Sequence, residues 1–309
     1  MAFGASQMNT INENKSVLCR SQQFSLVVTF FLCAAVSQLG AQSDTSKRIV
    51  SIVPAVTEML FAIGAGEQVV GVSSFASYPD DVNSRPRVGA LLDPNIESIL
   101  SLKPDLVVMH ESQTDAIEQM RRSSIEVFLY RHGGISDITG MVRQLGRRTG
   151  QTTKATTVAK EIEVALQSIR TRVSNYHKPR ILLVLGREPD TIRNVYASGG
   201  IGFLNDMVMA AGGINVFAHV QSEAVRPNAE GILAASPDVI IEIRAEGLWS
   251  DNKISGQPNV WDTLPAIPAV QKDRVYFLDG SDLTVPGPRV AQATKRLAKT
   301  LHPAAFKSR

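Results

Sequence analysis

Cysteine is nearly missing from this chain. Its 309 residues contain two, Cys19 and Cys33, and both lie in the first forty positions. The remainder has no disulfide framework, no cysteine nucleophile and no thiolate metal site. An excess of one charge is missing too. Lys and Arg number 32 against 29 Asp and Glu, and the basic residues are scattered, so there is no nucleic-acid-sized positive field. Enzyme signatures are also lacking. No Gly-x-Gly-x-x-Gly follows a strand, and the glycines of "YASGGIGF" have the wrong spacing for one. There is no P-loop, no Gly-x-Ser-x-Gly elbow and no His-Glu-x-x-His. No acid/base pair is fixed by spacing, and no catalytic or metal-ligating set stands out.

At the N-terminus, Lys15 and Arg20 precede a thirteen-residue apolar run, Phe24 to Val36, and then "SQLGAQSD". The run is shorter than the roughly 20 residues of a membrane-spanning helix. A positive region, an apolar stretch of this length and small residues at a cut site describe a secretory signal peptide over residues 1–41. Cleavage after Leu39-Gly40-Ala41 leaves Gln42 as the mature start, and Met8 is an alternative initiator. Leu32 stands before Cys33 where a lipoprotein signal has a small residue, which counts against lipidation of Cys33 and leaves it as the alternative. The expectation is an exported chain of about 265 residues, enough to be held by its core alone.

Beyond the leader, short β-rich runs alternate with helical stretches. "RIVSIVP" (Arg48 to Pro54) reads as a buried strand ended by proline, and "AVTEMLFAIGAG" as a helix capped near Thr57. "VVGVSS" (Val69 to Ser74), "LVVMH" (Leu106 to His110) and "EVFLY" (Glu126 to Tyr130) read as further strands, with helices at "NIESIL" and "TDAIEQMRRS". From Gln151 to about Tyr176 there is no Gly or Pro. Val158, Ile162, Ala165, Leu166, Ile169 and Val173 recur at three- and four-residue steps, which marks one amphipathic helix of about 25 residues. The βα pattern then restarts with "RILLVLG" (Arg180 to Gly186). "VYASGG" leads into a helix at "IGFLNDMVMAAGG". Strands at "VIIEI" and "VYFLDG" and a C-terminal helix at "RVAQATKRLAKTL" follow. The predicted fold is α/β: two Rossmann-like lobes with central parallel sheets, residues 47–150 and 178–303, joined by one long α-helix, 151–177.

One phrase occurs in both lobes. "NIESILSLKPDLVV" from Asn95 and "NAEGILAASPDVII" from Asn228 agree at six of fourteen positions. A Pro-Asp turn before a strand is common and accounts for part of this. It does not account for the paired Asn, or for Glu97 and Glu230. Among the histidines, His110 and His132 fall just past strand ends, where open parallel sheets bind ligands. His219 lies in a second-lobe loop. Together they could reach a metal or a tetrapyrrole iron, or simply be polar loop residues. His177 and His302 flank helices and read as solvated.

"RIVSIVPAVTEMLFAIGAG", "VVGVSSFASYP" and the two repeated phrases resemble the periplasmic substrate-binding proteins of ABC importers for cobalamin, haem and iron–siderophore complexes. Val-Gly-Val-Ser-Ser with an aromatic and Tyr-Pro is most similar to the cobalamin branch. The resemblance implies a monomeric periplasmic protein that is not an enzyme and has no resident cofactor. It would bind a cobalamin-like corrinoid between its lobes and deliver it to a dimeric inner-membrane permease through Glu97 and Glu230. The implied ligand contacts are Pro54, Phe75, Tyr78, Leu91, His110 and Arg131 in the first lobe. In the second lobe they are Arg187, Tyr196, Arg226, Arg244 and Trp249. The cobalamin pattern has a tryptophan six residues before each docking glutamate, where this chain has Leu91 and Ala224. Haem binders often carry a tyrosine ligand in the stretch that here reads "GALLDPN". Haem, a ferric siderophore or a metal therefore remain alternative cargoes. An exported α/β hydrolase is the rival from another class.

Overall fold

The computed structural model describes residues 45, 46, 48–244 and 259–307, all within one compact unit, Thr45–Arg309. The leader, with Cys19, Cys33 and the expected cut, lies outside the described residues, as does Trp249.

In the first half, β1 (Ile49–Ser51), β2 (Val69–Val72), β3 (Leu106–His110) and β4 (Glu126–Tyr130) form a four-stranded sheet in the order β2-β1-β3-β4. All its pairings are parallel. The order reverses direction between β1 and β3. A crevice opens at such a switch point, beyond the carboxyl ends of the strands. Pro54 opens α1 (Pro54–Ala62) rather than closing β1. A proline there gives up no hydrogen bond, because the first helical N–H has no partner anyway. Thr57 is not the cap. It is buried inside the helix, and its hydroxyl donates to Ser51 Oγ at 2.9 Å. Helices α2 (Ile96–Ser101) and α3 (Thr114–Arg122) complete the crossovers.

A helix absent from the sequence reading follows, α4 (Ile135–Thr149), and it lies against the long α5 (Thr152–Val173). Gly146 permits the close approach, since a Cβ there would sit 2.3 Å from Ala155 Cβ. α5 has 22 residues, about 33 Å at 1.5 Å per residue. It buries Val158, Ile162, Leu166, Ile169 and Val173 as expected, together with Ala155 and Ala159. Ala165, placed on that face by its spacing, is exposed.

The second half carries β5 (Arg180–Gly186), β6 (Tyr196–Ser198), β7 (Ile214–Asn215), β8 (Ala224–Val225), β9 (Val239–Arg244) and β10 (Val275–Asp279). The strand order is β10-β9-β5-β6-β8, with β7 also on β5. β10, β9 and β5 are parallel, whereas β6 runs antiparallel to β5 and β8. "VYASGG" leads into a helix as expected, but its Tyr196–Ser198 is also a strand, which gives this sheet an antiparallel margin. Helices α6 (Phe203–Ala210), α7 (Ala229–Ala235), α8 (Pro268–Gln271) and α9 (Val290–Leu301) flank it. His302 is buried, not solvated, and its Nε2 lies 3.1 Å from the Gly212 carbonyl.

Both halves feed one apolar core. A single contiguous cluster holds Met59, Leu60 and Leu145 from the first half, Ile162 and Leu166 from α5, and Leu183, Met207 and Leu297 from the second. Among the described residues, no helix is long and apolar enough to cross a membrane.

Candidate functional site

The strand ends of the first sheet build one wall. Pro54 begins α1, Phe75 and Tyr78 follow β2, and His110 ends β3. Leu91 sits in the loop after Gly89 and is tied to the loop after β3, because Gln113 Nε2 donates to its carbonyl at 3.0 Å. Arg131, just past β4, pairs with Glu111 at 2.8 Å. This wall is unusually apolar for an exposed surface. Phe75 is 75% exposed and Leu92 95%, with Tyr78 and Leu91 also exposed. Contiguous exposed apolar side chains mark binding surfaces.

Beneath them sits a ring cluster. The His110 and His132 centroids are 5.0 Å apart, and Tyr130 lies 5.2 Å from His132. Parallel pairing of β3 and β4 puts His110 beside Tyr130. His132 is exposed as a residue yet packed against His110 and Tyr130, and the partial loss of water holds its imidazole below the ordinary range, against the pull of Glu223, with His110 adding to the lowering. Burial also raises the Tyr130 phenol, as does the charge of Glu223. Glu223 belongs to the second half, and its charge acts on both groups. Among the described residues, no group of three or more His, Cys, Asp or Glu is arranged to hold a metal ion.

The second-half residues divide into two kinds. Tyr196 opens β6, is exposed, and has the Arg226 guanidinium 5.9 Å above its ring. Arg187 and Arg244 are engaged internally. Arg187 Nε donates to Glu242 Oε2 at 3.1 Å, an oxygen that also accepts from Trp261 Nε1. Arg244 stacks on Phe277 at 3.9 Å.

The halves are clamped at two points that the sequence did not reveal. Arg289, before α9, donates to both carboxylate oxygens of Glu58 in α1, at 2.8 and 2.5 Å. The Tyr78 ring lies 4.1 Å from the same guanidinium. On the other side, Asp206 Oδ2 accepts from Ile135 N at 2.9 Å, where α4 begins. These partners are far apart in sequence, so no local spacing announces them.

The repeated phrase has the same construction twice. Asn95 caps α2 by accepting from Ser98 N at 2.9 Å, and Asn228 caps α7 by accepting from Gly231 N at 2.8 Å. Asp105 accepts from Arg48 N at 3.1 Å, and Asp238 from Arg180 N at 3.0 Å. The guanidinium of Arg48 reaches back to the carbonyl of Leu102 and that of Arg180 to Ala235, near each helix end. Ile99 and Ile232 are both fully buried. Asn, Ile, Pro and Asp therefore serve the fold of each half. Glu97 and Glu230 are bound into none of these contacts. Both are exposed in the first turn of their helices, where a negative charge is modestly favourable, and neither has an ion-pair partner among the described residues.

Two parallel-centred sheets on a shared core, with ligand-type loops converging at their strand ends, define a two-lobed solute-binding architecture. A model of the periplasmic binding protein family matches residues 49–281, and the chain belongs to that family. An uncharacterized ABC transporter substrate-binding lipoprotein of Bacillus subtilis is 30% identical over 84% of this chain and 82% of its own length. The vitamin B12-binding protein of Vibrio parahaemolyticus is 22% identical over 86% of this chain and 93% of its own. Among solved structures, the periplasmic haem-binding protein RhuT from Roseiflexus is 29% identical with a TM-score of 0.70, over 84% of this chain and 99% of that one. The chain is accordingly an extracytoplasmic substrate-binding component of an ABC importer, and not an enzyme.

Proposed function

We propose that this protein captures a cobalamin-like corrinoid between its halves and delivers it to an inner-membrane permease dimer. The apolar wall of Phe75, Tyr78, Leu91 and Leu92 carries the reading. It offers a broad, greasy face to a macrocycle, while Tyr196 and Arg226 of the second half suit its amide or carboxylate fringe. Haem is the second reading, favoured by the His110–Tyr130–His132 cluster. Titration with cyanocobalamin, haemin and a ferric siderophore, read by absorbance and calorimetry, tests both. Tightest binding of the siderophore would reject both.

Delivery uses Glu97 and Glu230. A twofold partner offers one patch twice, and a monomer with a repeated acidic knob fits it. Exposed charges of this kind steer association more than they add affinity. Glu97→Lys with Glu230→Lys should leave cargo affinity within about twofold and abolish cargo-stimulated ATP turnover by the permease. A collapse of cargo affinity instead would reject the assignment. The leader, residues 1–41, directs export, and the mature protein starts at Gln42. Sequencing its N-terminus tests this.

A further inference from the structure

One side chain of the apolar wall is held from the other half of the molecule. Tyr78 follows β2 in the first half. The Arg289 guanidinium, from just before α9, lies over its ring, 4.1 Å from the centroid. That guanidinium is not free to drift. Its Nε and Nη2 both donate to the Glu58 carboxylate, and Nη2 also reaches Ser281 Oγ at 3.2 Å. A two-pronged bond to a carboxylate fixes the plane of an arginine head, and the fixed plane presents a face. Such a face stacked on an aromatic ring is attractive through charge and through contact.

The close approach of the halves at this point depends on Gly287, two residues before Arg289. A Cβ there would sit 2.9 Å from Glu58 Oε2 and would push the carboxylate off Arg289. The wall loop is also tied from its own half. Arg87 Nη1 donates to the carbonyls of Ser73 at 3.0 Å and Ala76 at 2.6 Å. An arginine of each half therefore holds the stretch from Ser73 to Tyr78. Above these two anchors Phe75 stays 75% exposed and Tyr78 45%. Bracing under exposed aromatic side chains suits a preorganised binding wall, since a loop that is already ordered loses less freedom when it binds. A link that served only to join the halves would need Glu58 and Arg289, and no ring.

We propose that Arg289 is a positioning residue for cargo capture: from across the junction of the halves, it holds the Tyr78 ring in the orientation that meets the cargo. Its side chain is 16% exposed, and it acts through the ring. This rests on the reading of the wall as a macrocycle site.

The test is a double-mutant cycle on the full mature chain, with cyanocobalamin and haemin as probes and calorimetry as the readout. Glu58→Leu with Arg289→Met removes the stack and leaves no buried charge unpaired. This swap should weaken the better-bound probe about three- to tenfold, the loss expected when one large side chain must be ordered on binding. In a Tyr78→Ala background the same swap should change affinity by less than about twofold, because the ring it acts through is gone. A swap that merely loosened the halves would cost as much in either background. Arg289→Lys keeps a cation beside Glu58 without the planar fork, and it should give the same pattern where the swap folds poorly. A loss below about threefold with Tyr78 present overturns the proposal, as does a loss above about twofold in the Tyr78→Ala background. Either result leaves the macrocycle reading standing, because wild type still binds. If wild type binds neither probe, that reading fails and the proposal fails with it.

Discussion

Removing the Glu58 carboxylate is the sharpest test of how the two halves are held. Glu58 and Arg289 are 4% and 16% exposed at their side chains, and two hydrogen bonds join them across the halves. Burial pushes the Glu58 carboxyl up, against the hydrogen bond and charge of Arg289. Burial also works against the charge of Arg289, yet bonding and attraction from Glu58 hold its pKa above the ordinary value. Both values are raised, which disfavours the charged form of Glu58 and favours that of Arg289. The paired geometry is the firmer guide, and it describes an ionised couple. Taking away one member of such a couple strands the other and costs about 3–5 kcal/mol. At roughly 2–4 °C per kcal/mol for a chain of about this size, Glu58→Ala should lower Tm by about 6–20 °C. An apolar replacement of both, Glu58→Leu with Arg289→Met, strands nothing and should recover most of the loss, because buried pairs often exchange for apolar groups at little net cost. Thermal and urea unfolding of the three proteins measure this. A Glu58→Ala variant within about 1 kcal/mol of wild type, or a double variant less stable than that single one, would refute the reasoning.

Other outcomes follow from the same structure. Burial lowers the His302 pKa from 6.5, although the Gly212 carbonyl opposes this. Its contribution is present above pH 6.5 and lost as pH falls through the lowered value, and His302→Gln should flatten that limb of a stability-versus-pH curve. Asn95→Ala and Asn228→Ala should each cost about 1 kcal/mol in urea unfolding, and the two losses should match because the caps match.

The sheets were legible in the sequence because their strands are short, apolar and bounded. Leu106–His110, Glu126–Tyr130 and Arg180–Gly186 fall where the pattern puts them. Helix α4 was not legible. Gly140 and Gly146 lie inside it, and a glycine in mid-helix looks like a break. Its packing against Ala155 explains Gly146 only once the partner helix is known. The antiparallel β6 was missed because three residues carry too little period to separate strand from loop. At the site, the strand reading placed His110 at the end of β3 and Tyr78 in the loop after β2, where the structure has them. It did not show that Arg187 belongs to a buried pair with Glu242, or that Glu58 reaches Arg289, 231 residues away. Such pairs depend on how the halves dock, which no window of sequence contains.

The core that runs through both halves has a mechanical corollary. Swinging the halves apart would bring apolar side chains into water at about 2.5 kcal/mol for every 100 Å² uncovered, besides breaking the Glu58–Arg289 link. Jaws that wide are disfavoured by this core. A molecule held so should act as a fixed calliper, with a span between Glu97 and Glu230 that changes little when the gap is filled. Under the docking proposed for those two residues, a receptor that measured only that span would read the same value from loaded and unloaded copies. News of the cargo would then travel by the rim of the gap, through loops such as the one bearing Leu92.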